Sequence, residues 1–297
     1  LYGIGILARL TLPRYKPGSE AQIEDNPRAA KPAEQELTAM THYITRLTPE
    51  YTRAARTFFE VVVGLDPDSA LAWSWLADLL ASDYLNRWNE ADNDDPAPGL
   101  QLLRAAEQAV TRALDLNADL DIANYANGLV HRAHGNHYAS VMAFSRAAEV
   151  NPNFARAYAQ KAAQLVNLGR PEKAPVLIRK AISLGPRDPS LGVFYWILAR
   201  AYFFSRAYRE AIPLLVQSTT ERPNLWYNWL YLVSAYHWVD QDARAADVLK
   251  EFLAYPQFSQ LTIDRIKQDE GANPNNNPFV VDGRDRFHGG LIAVGFK

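Results

Sequence analysis

The sequence predicts an all-α solenoid of about six helix pairs, and three observations predict it. Prolines of the kind that end helices recur in matching contexts: LDPD at 65–68, NPNF at 151–154, GPRD at 185–188 and RPNL at 222–225. Their spacing converges on one length, since Pro152 to Pro186 is 34 residues, Pro186 to Pro223 is 37, and Pro67 to Pro152 is 85, two such units plus 17. Within each interval small and large apolar residues fall at fixed offsets, and 48% hydrophobic content over 297 residues suffices for a continuous core.

Residues 1–35 read as an apolar start and linker. The chain begins at Leu1 without an initiator Met, so a processed chain or a fragment is expected. LYGIGILARLTLP places eight apolar residues before Arg9, against the roughly 20 that span a bilayer. It reads either as the tail of a transmembrane helix cut at Leu1 or as a strand or helix end packed on the body. No complete signal peptide is present.

The array is expected over 36–257. With the recurrent proline at position 32 of each unit, 36–69 supplies Ala55, Phe59 and Pro67. Residues 70–120 supply Trp73, Leu76 and Ala77, then Ala106, Val110 and Ala113 after a 17-residue insertion around 85–99 that reads as a loop between the two helices. In 121–154, Gly128, Phe144, Ala147 and Pro152 fall at positions 8, 24, 27 and 32. In 155–188, Tyr158, Ala162, Ala174, Ile178, Ala181 and Pro186 fall at 4, 8, 20, 24, 27 and 32. The unit 189–225 repeats the pattern with Tyr195, Leu198, Ala199, Tyr202, Ala211, Leu215 and Pro223, and 226–257 with Trp229, Leu232, Tyr236, Ala245 and Leu249. Small residues at 8, 20 and 27 let helices approach, while large ones fill the space between units.

Residues 258–297 form the remainder. Leu261, Ile263 and Ile266 predict a short amphipathic helix over 259–269, GANPNNNP (271–278) is a breaker-rich loop, and RDRFHGGLIAVGF returns to apolar residues. A terminal cap folding back on the array is expected.

These offsets resemble the tetratricopeptide repeat (TPR), which implies a right-handed superhelix. LDPDSALAWSWLADLL (65–80), LNADLDIANYANGLV (116–130), NPNFARAYAQKAAQLVNLGRPEKA (151–174) and LGPRDPS (184–190) further resemble the TPR region attached to bacterial class III adenylate cyclases and winged-helix transcriptional activators, with an ending like Phe287 to Phe296. That resemblance implies a catalytic or DNA-binding domain on the N-terminal side, often across a membrane helix, with the repeats as a sensing or dimerisation module. This chain shows no cyclase metal-binding aspartate pair and no winged-helix pattern, so neither activity transfers to it.

Candidate chemistry is sparse. Thirty-one basic and 33 acidic residues give a net charge of −2 without long blocks, so no nucleic-acid partner is expected. The absence of cysteine excludes disulfides, thiolate nucleophiles and Cys-ligated zinc, and suits an oxidising compartment at least as well as the cytosol. His131, His134 and His137 (HRAHGNH) could in principle ligate zinc, copper or nickel, but Gly135 at position 15 places a turn among them and favours surface or turn histidines. Asp92, Asn93, Asp94 and Asp95 do not make a calcium loop, because Pro96 and Pro98 break the template. Gly289 and Gly290 lack the Lys and Ser or Thr of a phosphate loop, and neither GxGxxG nor GxSxG occurs. No enzyme activity, cofactor or metal is expected.

The resemblance instead implies a groove lined by the first helix of each unit at positions 2, 5, 9 and 12. Those positions hold Ile122, Tyr125, Leu129 and Arg132; Val193, Trp196, Arg200 and Phe203; and Tyr227, Leu230, Ser234 and His237. The candidate partner-binding residues are Tyr125, Leu129, Arg132, Arg156, Trp196, Arg200, Phe203, Tyr227 and His237, because aromatic and Arg side chains are the usual interface anchors. Position 5 carries Ser74, Tyr125, Ala159, Trp196 and Leu230, none basic, which disfavours clamping of chaperone tails. A non-catalytic scaffold for an apolar or mixed peptide, or for the chain's own C-terminal tail, is the expected function. The sequence leaves room for a membrane tether at the N-terminus and for a homo-oligomer. A periplasmic or membrane-associated setting is expected from the resemblance, with the cytoplasm as the alternative.

Overall fold

The computed structural model describes residues 48–86, 97–271 and 275–297, which form thirteen α-helices and two 3-10 turns with no strand among them. Two compact units divide the chain, Leu1–Asp68 and Ser69–Lys297. In the first, helix α1 (Pro49–Leu65) buries Thr52, Ala55, Phe59 and Val63, one stripe at helical spacing. The apolar start lies outside the described residues.

The second unit is the solenoid. Its pairs are α2 (Ala70–Asn86) with α3 (Ala97–Leu116), α4 (Asp121–Ala133) with α5 (His137–Val150), α6 (Ala155–Asn167) with α7 (Ala174–Leu184), α8 (Leu191–Phe204) with α9 (Tyr208–Glu221), and α10 (Trp226–His237) with α11 (Asp242–Leu253). Each pair packs on the next. The middle of the 85–99 insertion, including Asp92 to Asp95, lies outside the described residues, while its edges prolong α2 and begin α3.

Close approach at small residues sets the packing. Ala162, Ala174 and Ala181 are fully buried, as are Ala199, Ala211, Ala235 and Ala245 at the same seams. At Gly128 a Cβ would lie 2.5 Å from Phe144 Cε1, so the ring rests on the helix backbone itself. Serine stands in for alanine where its hydroxyl can be satisfied: Ser140 Oγ donates to the Gly128 carbonyl at 2.6 Å, and Ser218 Oγ to the Gly192 carbonyl at 2.6 Å. An unsatisfied buried hydroxyl would cost more than the packing gains.

The turn inside each pair also repeats. Gly135, Gly169, Arg206 and Asp240 occupy the same place in four successive pairs, with φ of 69°, 73°, 62° and 60°. Glycine takes this left-handed conformation freely, whereas the two other residues cost about 1–2 kcal/mol each, repaid by the packing they direct. The prolines fall two residues beyond α1, α5, α7 and α9.

After α11, a 3-10 turn (Pro256–Phe258) leads to α12 (Ile263–Gly271) and α13 (Pro278–Ala293). Helix α12 starts later than the expected 259 because Thr262 Oγ accepts from Arg265 N at 3.2 Å and caps it there. Asn277 caps α13 by accepting from Phe279 N at 3.0 Å, with Pro278 at the first helical position. The chain end is tied in, since Ile263 N donates to the Lys297 carbonyl at 3.0 Å and Phe296 packs beside Phe252.

Gly128→Ala should gain about 1 kcal/mol of helix propensity but lose about 1–3 kcal/mol by overpacking on Phe144. Urea denaturation is expected to show net destabilisation in the wild-type background. The sign should reverse in a Phe144→Leu background, which removes the opposing ring.

Candidate partner-binding groove

The first helices of the pairs, α2, α4, α6, α8 and α10, line one side of the solenoid, and the C-terminal segment lies on part of that face. Helix α13 packs on α8 and α10. Two glycines permit it: a Cβ at Gly283 would lie 2.7 Å from the Phe204 ring, and one at Gly290 would fall 3.0 Å from Ser234 Cβ. Phe287 stacks on Tyr231 at 4.2 Å and 12°. Arg286 then fastens the helix, donating to the carbonyls of Phe203 (3.0 Å) and Phe204 (2.8 Å), to Tyr208 Oη (2.8 Å) and to Asp282 (2.8 Å). Those two carbonyls are end groups of α8, where a cation is favoured. Asn275 Nδ2 donates to the Asn167 carbonyl at 2.8 Å, and Asn277 lies against Gly169, so the segment reaches back to the α6–α7 pair. The HGG sequence is thus a contact surface for α10.

The hydrogen bond from Arg286, opposed by desolvation and aided by Arg206, holds the Asp282 carboxyl below its ordinary range.

Next to α13 the face carries side chains of α4, α6, α8 and α10. Trp196 and Tyr227 pack at 4.4 Å, and the Arg200 guanidinium lies 5.4 Å from the Trp196 ring and 5.3 Å from that of Phe204. Arg200 bonds to Asn167 Oδ1, Asn167 Nδ2 donates to Gln164 Oε1 at 3.2 Å, and Gln164 Oε1 lies 2.9 Å from His137 Nδ1. Arg132 donates to Gln160 Oε1 at 3.3 Å. Arg132, Trp196, Arg200 and Tyr227 are half-buried. Desolvation holds Arg132 and Arg200 below the usual arginine range; Arg132 adds to the effect on Arg200, while Tyr227 and Tyr125 oppose it at Arg132. Desolvation likewise pushes Tyr227 up to about 12 and, against its bond to Gln164, keeps His137 below the ordinary histidine value.

Several expected groove residues lie elsewhere. Tyr125 is 2% exposed, wedged among Phe144, Phe154 and the Arg156 guanidinium, and Leu129 (3%) and Phe203 (0%) are core. Ile122 and Leu230 are buried too, and Ser234 lies beneath α13. The offsets fail there because the superhelix turns these positions into the seam between neighbouring pairs. Arg156 pairs with the fully buried Asp78 at 3.2 Å, an ion pair across two repeats, and His237 pairs with Asp242 at 2.8 Å away from the Arg132–Arg200 cluster. Gln160, Gln164 and Asn167 were not singled out by the offsets, although amides three and four residues apart on an Ala-rich helix mark a polar stripe.

The three histidines of HRAHGNH point to different neighbours. His134 pairs with Glu107, His137 meets Gln164, and His131 is held below its usual value by desolvation and by His134. Among the described residues no group of three or more His, Cys, Asp or Glu is placed to hold a metal ion. Among them, too, no helix is long and apolar enough to cross a membrane.

Helix pairs with a left-handed turn at one fixed place and small residues at the seams define a TPR solenoid. Solved structures agree on this fold. A chain of the APC/C hetero-tetramer Cut9–Hcn1 superposes with a TM-score of 0.60 at 16% identity, over 91% of this chain and 45% of that one. PilF of Pseudomonas aeruginosa gives 0.52 at 14% identity, over 78% and 95%. No protein-family model matches the sequence, and no curated protein matches it. These likenesses concern the repeat fold; attachment to cyclases or transcriptional activators rests on the sequence resemblance alone.

Arg286→Ala is expected to lower Tm by roughly 4–10 °C through lost charge-assisted bonds. Limited proteolysis should then cut within 271–297 first, and unchanged resistance there would show that Arg286 does not hold α13. Because the folded pKa of Asp282 lies below the unfolded value of about 3.9, its pairing should contribute fully above pH 4 and be lost as pH falls through the folded value. Hydrogen exchange of α13 is expected to rise only on that acid side.

Proposed function

We propose that the protein is a non-catalytic scaffold that holds a segment of another protein in the concave groove, against Arg132, Trp196, Arg200 and Tyr227. One observation carries the reading: the same face already accepts a peptide segment, because α13 lies on α8 and α10 through a stacked aromatic and bonds to backbone carbonyls. Beyond α13 that face continues into the half-buried aromatic and arginine cluster. A partner segment laid there would find large apolar area and directional donors together, the combination that dominates binding energy.

Tyr125, Leu129 and Phe203 act in this reading from beneath, fixing the wall that a partner touches. Arg156 holds α6 to α2 through Asp78, and His237 belongs to the covered end. A membrane-tethered or periplasmic setting would be decided by the residues that precede the array.

Trp196→Ala combined with Arg200→Ala should abolish retention of the native partner in affinity capture read by mass spectrometry, while helicity by circular dichroism is preserved. Unchanged retention by the folded double variant would place the working surface elsewhere.

A further inference from the structure

The groove beside α13 contains more hydrogen-bond donors than acceptors. Among the described residues neither Arg132 nor Arg200 has an ion-pair partner; their bonds go to the amide oxygens of Gln160 and Asn167. Gln164 is 0% exposed, spends Oε1 on both His137 and Asn167, and leaves its buried Nε2 without a partner. The Trp196 indole N–H, on the ring beside Arg200, is also buried and unpartnered. Like charges drawn out of water and orphaned donors leave this part of the face with an unmet demand for acceptors, which an anion at the two guanidinium groups would lessen.

An internal acid indicates which anion. Glu270, near the end of α12, acts electrostatically on Arg200 while its carboxylate lies 3.2 Å from His288 Nε2. The protein therefore already presents a carboxylate to one edge of this cluster and none to Arg132. We propose that Arg132 and Arg200, with the Gln164 amide and the Trp196 indole, form a carboxylate-binding site for an acidic side chain on the segment held in the groove. An aromatic or aliphatic neighbour of that acid lies on the Trp196–Tyr227 face. The proposal rests on the groove reading above and names its ligand chemistry. The two arginines come from the third and fifth repeats, not from the position-5 residues that the repeat pattern would have nominated.

Fluorescence anisotropy on the full chain tests it with three labelled peptides: Gly-Phe-Glu-Glu-Phe-Gly, its Gln-Gln counterpart and its phosphoserine counterpart. The Glu peptide is expected to bind about tenfold more tightly than the Gln peptide. Arg132→Gln or Arg200→Gln should erase that difference, raised salt should shrink it, and the exposed Arg209→Gln control should leave it unchanged. Arg132→Gln should keep Tm at or above the wild-type value, since it removes one of two like charges. Equal affinity for Glu and Gln peptides, with both weakened by Trp196→Ala, would overturn the carboxylate site and leave the groove standing. Tighter binding of the phosphoserine peptide would overturn the choice of anion. Binding of none of the three would sink both readings.

Discussion

Every larger feature depends on how closely two helices of a pair can approach. At Gly128 the Phe144 ring sits where a Cβ would be, and at Ala162, Ala174 and Ala181 a methyl is all that fits. That contact distance sets the tilt of each pair, and repeating the tilt generates the superhelix and its inner face. The exceptions obey the same constraint. Ser140 and Ser218 are tolerated because each returns a hydrogen bond to a carbonyl on the facing helix, keeping both the short distance and the polar satisfaction.

The inner face has two parts with different chemistry. Under α13 apolar contacts are joined by hydrogen bonds: Arg286 answers the α8 carbonyls, and Trp238 Nε1 donates to the Arg286 carbonyl at 2.9 Å. Beyond α13 the hydrogen bonds of Arg132 and Arg200 go to neutral amides. The division follows from length, since the segment after the Asn/Pro loop is one 16-residue helix and covers two first helices, not five. The protein's own chain thus supplies a counter-surface for the fifth and sixth repeats and stops short of Arg132.

Much of the array was legible in the sequence because it is written in residues whose roles are local. Proline ends a helix and alanine fills a seam whatever lies further off, so Pro152, Pro186, Ala174 and Ala181 gave the period and the packing. Gly135 marked the turn, but Arg206 and Asp240 did so only once the backbone was seen, because nothing in an Arg or Asp announces a positive φ. The groove was harder. Trp196, Arg200, Arg132 and Tyr227 are half-buried, whereas Tyr125 and Phe203 occupy equivalent offsets and are core. Exposure at one position depends on the size of side chains in the next repeat, and a single-repeat template does not contain that. Arg286 was invisible for a related reason: its partners are carbonyls on α8, some 80 residues away in sequence.

The placement of charge distinguishes structure from use in this molecule. Where an arginine serves stability it is answered: Arg156 by Asp78, Arg206 and Arg286 by Asp282. A buried pair broken on one side is strongly destabilising, so such arginines are fixed by the fold itself. Arg132 and Arg200 depart from that rule while losing much of their hydration, and they do so on the inner face and near each other. Folding alone would favour a neutral residue at either place. Stability spent on a local arrangement that packing does not require accords with the partner-binding surface proposed for these two guanidinium groups and the tryptophan beside them.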